Sequence, residues 1–218
     1  MFFSRFIISL LVVFLASCTT TDPYSGEQKT SNTAKGAGIG ALSGAILGAA
    51  TSKDKKKGAL TGALLGGAVG GGVGYYMDQQ EKALGEELRG TGVQVRREGD
   101  NLRLIMPGNI TFATGRSEIR SDFYPVLNSV GKVLAKFEKT SIHVTGHTDS
   151  TGSADKNQSL SEDRAGSVGQ YLIGRGVKSN RIKTSGYGSQ HPIASNATGA
   201  GREQNRRVEL ELTPTGEE

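Results

Sequence analysis

The glycines of this 218-residue chain recur at every fourth position over two long segments. The two runs are Gly36, Gly40, Gly44 and Gly48, and then Gly58, Gly62, Gly66, Gly70 and Gly74. On an α-helix this spacing places the glycines in one nearly straight groove, where a second backbone can approach closely. Each glycine costs a helix about 1 kcal/mol relative to alanine. Such helices therefore need a lipid environment or a partner helix to offset that cost.

A cationic segment between the two runs predicts a helical hairpin with a charged turn. The turn is 52–57, and the arms 36–51 and 58–77 would be about 24 and 30 Å long at 1.5 Å per residue. Tyr75 and Tyr76 end the second arm, where interfacial aromatic residues are found. A flexible glycine-rich linker is the alternative interpretation. The sequence leaves open whether 36–77 enters a bilayer, forms a homo-oligomer with copies of itself, or does both.

Residues 1–17 predict a secretory signal peptide. Arg5 precedes an almost uninterrupted apolar run over 6–16. That run is about half as long as the ~20 residues that a membrane-spanning helix requires.

The only cysteine of the chain, Cys18, directly follows this segment. The residues Leu15-Ala16-Ser17-Cys18 resemble the bacterial lipobox, in which the cysteine is acylated and becomes the new N-terminus. Several acyl chains make an effectively permanent membrane anchor. By analogy with lipoprotein sorting, Thr19 after the cysteine favours the outer membrane, and 18–35 would form a lipidated tether. An ordinary signal peptide with an incidental cysteine is the alternative.

Composition excludes several classes of protein. One cysteine excludes a disulfide framework and a cysteine-based zinc cluster. A net charge of +5 is mild and does not indicate nucleic acid binding. His147 and Asp149 could be two metal ligands, but no third ligand follows at a recognisable spacing. Neither a G-x-S-x-G elbow nor a phosphate loop occurs in the sequence. We therefore expect a protein that is not an enzyme and holds no cofactor or metal.

The C-terminal half alternates strand and helix patterns behind a linker helix and strand at 78–96. Apolar alternation predicts strands at 93–95, 102–106, 110–112, 142–146, near 182, and at 208–212. Helical periodicity predicts an amphipathic helix that Ser121 caps and that runs to Phe137, and a second helix over 157–175. This order predicts a two-layer α/β sandwich over 97–215.

One arginine of the second helix breaks its pattern of apolar and polar positions. At 100° per residue, Arg164 falls on the core-facing side between Leu160 and Val168. A buried unpaired charge costs several kcal/mol, and the nearest candidate anion is Asp149 in the loop 147–152. The pair could be a structural ion pair. It could instead form a zwitterion site, where Asp149 binds an ammonium and Arg164 binds a carboxylate through its two-pronged guanidinium.

These residues also resemble a known family. Thr148-Asp149 followed by the segment 157–168 matches T-D and N-x-x-L-S-x-x-R-A-x-x-V of the OmpA-like peptidoglycan-binding family. Residues 205–209 match its closing N-R-R-V-E, and 110–112 match its opening strand. With the lipobox and the glycine-zipper hairpin, the chain resembles the YiaD-like outer-membrane lipoproteins.

The resemblance implies a βαβαβ-type fold that binds diaminopimelate in the peptide stems of peptidoglycan. The ligand-binding positions that it implies are Asp149, Arg164, Asn157, Thr148 and Ser161, with Arg206 as a weaker candidate. Asn157 and Ser161 match motif positions that order the loop and the start of the helix. Strand alternation places Arg206 on the side of Val208, and structural support is the role expected for it. Ala113 stands where the family commonly has an aspartate, so the contribution of the Phe112 edge stays open.

The expected function is a non-enzymatic tether between the outer membrane and the cell wall. Lipid on Cys18 would hold one end in the outer membrane, and the C-terminal domain in the periplasm would bind peptidoglycan non-covalently. The alternative is an outer-membrane assembly or pore-forming factor that acts through oligomerisation of the hairpin 36–77. Deleting that hairpin would separate the two functions.

Overall fold

The computed structural model describes residues 19–21, 28–30, 32–52 and 54–215. The predicted signal peptide 1–17 and the predicted lipid acceptor Cys18 lie outside the described residues. The chain divides into two compact units, Met1–Lys82 and Ala83–Glu218.

The first unit contains two helices preceded by two short strands. Strands β1 (Thr19–Thr21) and β2 (Gln28–Thr30) pair antiparallel inside the segment predicted as a tether. Helices α1 (Asn32–Thr51) and α2 (Lys55–Glu87) confirm the two predicted helical arms, although both helices are longer than the glycine runs.

The glycine spacing serves close contact between α1 and α2. A Cβ atom on Gly48 would overlap the backbone carbonyl of Gly58, and a Cβ atom on Gly58 would overlap that of Gly48. Large aliphatic side chains of the same helices are 65–71% exposed, namely Ile39, Leu42, Ile46, Leu47, Leu60, Leu64 and Leu65. Among the described residues, no helix combines the length and the apolar character that a membrane span requires.

The linker helix predicted from residue 78 is not a separate element, because α2 continues without a break to Glu87. Leu84 and Leu88 are fully buried, and Glu87 accepts hydrogen bonds from Lys132 and Ser129 at 2.6 and 3.1 Å. The end of α2 is therefore part of the second unit. Burial of the leucines, four residues apart on one helix face, outweighs the polar residues around them.

The second unit is built on a five-stranded mixed sheet. Its strands are β3 (Gln94–Glu98), β4 (Asn101–Pro107), β5 (Thr140–His147), β6 (Ile182–Gly186) and β7 (Arg207–Pro214), in the order β3-β4-β7-β5-β6. Only β5 and β6 pair in parallel. The strands predicted at 93–95 and 102–106 are found as β3 and β4, which pair antiparallel, and the predicted boundary at residue 97 falls inside β3.

Four helices connect the strands: α3 (Gly108–Thr111), α4 (Tyr124–Lys136), α5 (Ala154–Gly174) and α6 (Gly199–Asn205). The register aligns Leu104, Leu210 and Val144 across the three central strands, and all three are fully buried. Helix α5 packs against β5 and β6, and α4 packs beside α5. The two-layer α/β architecture predicted from the sequence is confirmed.

Two local predictions are wrong. Residues 108–111 form a helical turn, because Gly108 donates its N–H to the Arg206 carbonyl and the Thr111 hydroxyl donates to the Pro107 carbonyl. Only Phe112 is extended, in a single bridge with Ile119. Ser121 does not cap α4, since it lies in a 3₁₀ turn and α4 begins at Tyr124 without a side-chain cap.

Candidate functional site

Helix α5 lies unusually close to the sheet at the end of β5. A Cβ atom on Gly146 would overlap the backbone carbonyl of Ser161, and one on Gly186 would overlap the backbone N of Glu162. Two neighbouring glycines therefore let the helix backbone rest directly on the strands. This approach places the first half of α5 beside the loop that leaves β5.

The loop and the helix form one wall of a cleft of about 450 Å³. Helix α3 and residues 112–115 line a second wall, and two arginines from the end of α6 line a third. Five of the predicted site residues line this cleft: Thr148, Asp149, Asn157, Arg164 and Arg206. Ser161 does not line it.

Asp149 presents a buried carboxylate to the cleft, with 7% of the residue exposed. One oxygen accepts the N–H of Thr151 at 2.8 Å, and the other accepts from Nη1 of Arg206 at 2.6 Å. Burial acts to raise the pKa of Asp149, but the hydrogen bonds from Arg206 and Thr151 outweigh burial and lower this pKa. The carboxylate is therefore ionised at neutral pH.

The partner of Asp149 differs from the expected one. The sequence suggested Arg164 as its ion-pair partner, whereas the structure pairs it with Arg206. Arg206 lies between α6 and the first residue of β7, so strand alternation does not set its direction. Its position 57 residues further along the chain left no local signal for the pairing.

Arg164 is 4% exposed and has no carboxylate partner within the described residues. Its Nε donates to the carbonyl of Arg116 at 2.9 Å, and its guanidinium lies 5.0 Å from the centre of the Phe112 ring. Burial lowers the pKa of Arg164, and the positive charge of Arg206 lowers it further. An arginine still remains charged, so its two terminal nitrogens form a fixed, cationic fork at the cleft.

The Phe112 edge therefore contributes a stacking surface and, through Arg116, a backbone acceptor. Both contacts act on Arg164 rather than on a ligand directly. A cation above an aromatic face is stabilised by the ring quadrupole. The sequence contained one signal for this role, namely that Phe112 is aromatic. The alternation of apolar residues predicted only a strand at this position.

Asn157 and Ser161 order the backbone around the site. Asn157 Nδ2 donates to the carbonyls of Asp149 and Thr151 at 3.2 and 3.0 Å, which holds the loop against α5. The fully buried hydroxyl of Ser161 donates to Gln158 and accepts the N–H of Gly188. The implied ligand contact of Ser161 is thus replaced by a structural role, because its hydroxyl faces the sheet side of the helix.

The hydroxyl of Thr148 is buried and has no hydrogen-bond partner among the described residues. Thr148 lines the cleft, and its N–H donates to the carbonyl of Gly188 at 2.9 Å. A buried hydroxyl without a partner costs free energy unless a ligand or water supplies one. Its position beside Asp149 makes it a candidate for a ligand contact.

His147 precedes this loop and makes stability depend on pH. The residue is 4% exposed, and burial followed by the charge of Arg207 lowers the pKa of His147 to about 4. The unfolded chain binds a proton on this imidazole below about pH 6.5, whereas the folded chain does so only near pH 4. Folded-state stability therefore falls as the pH drops through this window.

We expect His147 to account for about 2 kcal/mol of stability lost between pH 7.5 and pH 5. Urea unfolding of the purified chain at both pH values measures this loss, and His147→Gln should reduce it by that amount. His143, whose pKa burial also lowers, remains in the variant and contributes a residual slope in the same direction. An unchanged slope in His147→Gln would contradict the assignment.

Comparison with known proteins places the chain in a family. Residues 111–206 match the OmpA family, and residues 1–78 match the YMGG-like Gly-zipper family. The chain is 51% identical over 197 residues to the probable lipoprotein YiaD of Escherichia coli, covering 89% of this chain and 90% of YiaD.

Two further similarities cover part of the chain. The chain is 44% identical over 110 residues to the peptidoglycan-binding protein ArfA of Mycobacterium tuberculosis, covering 50% of this chain and 33% of ArfA. The cell wall anchor of the T6SS from Pseudomonas aeruginosa superimposes with a TM-score of 0.57 at 28% identity, over 62% of this chain and 96% of that chain.

These relatives are named as a probable lipoprotein, a peptidoglycan-binding protein and a cell wall anchor, and the protein is not an enzyme. The similarity to YiaD extends through the glycine-rich helices as well as the sheet domain. The chain therefore belongs to the OmpA family, with an N-terminal glycine-zipper region, and is a relative of the probable lipoprotein YiaD.

Proposed function

We propose that this protein binds peptidoglycan non-covalently and tethers it to the outer membrane, by recognising diaminopimelate in the peptide stem. The observation that carries the proposal is the pair of buried charges in one cleft. Asp149 and Arg164 both line it and form no direct ion pair with each other, although the charge of Asp149 acts to raise the pKa of Arg164. The names of ArfA and of the T6SS anchor agree with a ligand in the cell wall.

The cleft suits an amino acid that carries both charges. An ammonium would bind the carboxylate of Asp149, which keeps unused acceptor positions beside its bonds to Thr151 and Arg206. A carboxylate would accept two parallel hydrogen bonds from the terminal nitrogens of Arg164. The side-chain end of diaminopimelate offers these two groups on one carbon atom. The alternative of a structural ion pair between Asp149 and Arg164 loses support, because Asp149 pairs with Arg206 instead.

The rest of the tether is proposed from the sequence and the first unit. Cys18 would carry the lipid anchor in the outer membrane, 18–35 would form the tether, and the domain 97–215 would lie in the periplasm. The hairpin 36–77 would contact outer-membrane lipid or further copies of the chain through its exposed aliphatic side chains.

The glycine contact between Gly48 and Gly58 lies within one chain. This favours the tether over an assembly or pore-forming function that needs glycine packing between chains.

Co-sedimentation with purified peptidoglycan sacculi tests the proposal. We expect Asp149→Asn and Arg164→Gln each to reduce the bound fraction at least about tenfold, because each leaves one charge of the ligand without a partner. Arg175→Gln is the matched control, since Arg175 directly follows the same helix and contacts Tyr171, and neither residue lines the cleft.

Circular dichroism spectra and thermal unfolding of each variant monitor the fold in the same experiment. Wild-type binding by a folded Asp149→Asn variant and a folded Arg164→Gln variant would contradict the proposed site. Loss of folding in both variants would assign these residues a structural role. The fractions of wild type and of uncharged Thr148 variants that bind to sacculi would then be compared.

A further inference from the structure

We infer that the cleft holds a second carboxylate subsite at Arg202, and that it therefore selects peptide stems with two free carboxylates. This inference rests on the proposed function and names the charge state of its ligand. The first carboxylate is the one beside the ammonium, which Arg164 binds. The second would come from another residue of the same stem or from its C-terminus.

The charges that line the cleft are unbalanced. Three guanidinium groups, those of Arg164, Arg202 and Arg206, face one carboxylate, that of Asp149. Asp149 is already engaged by Arg206 at 2.6 Å. Burial and then the positive charge of Arg206 lower the pKa of Arg164, and the charge of Asp149 offsets this only in part. A zwitterion adds no net charge, so it leaves this positive excess uncompensated.

Arg202 is held in place by neutral groups only. Its Nη1 donates to the carbonyls of Asn196 and Ala197 at 2.9 and 3.3 Å, and no carboxylate of the described residues pairs with it. Its Nε and Nη2 make no hydrogen bond within the described chain, which leaves one edge of the guanidinium for a ligand. An anchored guanidinium loses little side-chain freedom when it binds an anion.

Buried amides support this position and connect it to Asp149. Asn205 is fully buried, accepts the N–H groups of Ile193 and Ala194, and donates to the side chain of Asn196 at 2.8 Å. The same Asn196 oxygen accepts the N–H of Ser150 at 3.3 Å, next to Asp149. The loop that orients Arg202 is thus fixed to the loop that carries the proposed ammonium site. Two subsites held at a fixed distance can favour ligands whose two charged groups have the matching spacing.

Isothermal titration of the full chain in detergent tests the inference with three synthetic probes. The first is the tripeptide L-Ala-γ-D-Glu-meso-diaminopimelate with its carboxylates free. The second carries an amide in place of the glutamate α-carboxylate, and the third carries an amide in place of the C-terminal carboxylate. We expect one of the two amidated probes to bind at least about tenfold more weakly, and the probe that is weakened identifies which carboxylate reaches Arg202.

Arg202→Gln should abolish this discrimination. In that variant the tripeptide with free carboxylates should bind as weakly as the amidated probe that the wild type binds poorly. The effects of Arg202→Gln and of the amide on affinity are therefore not additive. Arg202→Lys keeps the charge and should retain part of the difference, whereas Arg175→Gln should behave as wild type. Circular dichroism establishes that each variant is folded.

Three outcomes would overturn the inference. Equal affinity of the wild type for all three probes removes the second subsite but leaves the proposed function intact. An unchanged amide penalty in Arg202→Gln removes Arg202 from it. If millimolar inorganic phosphate in the titration buffer weakened binding of the tripeptide as much as an excess of unlabelled tripeptide would, Arg202 would belong to a general anion site instead. Absence of binding by every probe, including the free tripeptide, would instead be the failure of the proposed function itself.

Discussion

Replacing Gly146 with alanine is expected to destabilise the second unit by about 3 kcal/mol or more. The added Cβ atom would overlap the backbone carbonyl of Ser161, which belongs to a regular helix turn and cannot rotate away as a side chain could. The whole of α5 would have to move from the sheet. Because Arg164 lies one turn further along α5, peptidoglycan binding should fall together with stability.

Urea unfolding of the purified chain, followed by far-ultraviolet circular dichroism, measures this effect. Gly166→Ala is the matched control, because Gly166 lies on α5 with no atom within 4 Å of the position that its Cβ would take. The control should be neutral or stabilising by about 0.5–1 kcal/mol, since alanine favours helix. Similar midpoints for Gly146→Ala and wild type would show that α5 does not rely on this close approach.

Replacing Glu209 with alanine is expected to cost about 3–5 kcal/mol. Glu209 and Arg207 are both buried on the sheet face opposite Val208, and Arg207 Nε donates to Glu209 at 2.5 Å. Arg103 approaches the other carboxylate oxygen at 3.4 Å. Removing the carboxylate would leave the buried Arg207 without a countercharge, and that cost exceeds the net contribution of the pair.

A double replacement separates the two contributions. Arg207→Met with Glu209→Leu removes both charges, and it should recover most of the stability that Glu209→Ala loses. Urea is the denaturant for this comparison because it does not screen ion pairs. Glu138→Ala is the control, since the Glu138–Lys178 pair is solvent-exposed and its loss should leave the midpoint unchanged. A small loss in Glu209→Ala would mean that water reaches Arg207 in the folded chain.

Several elements of the fold could be predicted from local patterns. Apolar residues three and four apart marked α4 and α5, and alternation marked the strands of the sheet, because each pattern depends only on which face of one element is buried. The glycine spacing marked α1 and α2 for the same reason. The patterns did not mark α3 and α6, which are too short for periodicity and are held by contacts distant in sequence, such as Gly108 with Arg206.

The candidate site was predictable in part. Helical angles placed Arg164 on the buried face, and the resemblance to the OmpA family assigned Asp149 and Asn157. Neither argument identified Arg202 as a cleft residue or Arg206 as the partner of Asp149. Both arginines reach the site because α6 and β7 return to it after a long excursion of the chain.

The amino-acid sequence alone determined the four long helices, the strands of the five-stranded sheet, the family, and the presence of one charge that needs an anion. Those properties follow from periodicity and residue chemistry within short windows. Only the tertiary structure decided which charges meet: it paired Asp149 with Arg206, gave Arg164 and Arg202 no direct ion pair within the described residues, and placed Phe112 under Arg164. Electrostatic energy depends on distance through space, and the folded chain sets those distances among residues that lie far apart in sequence.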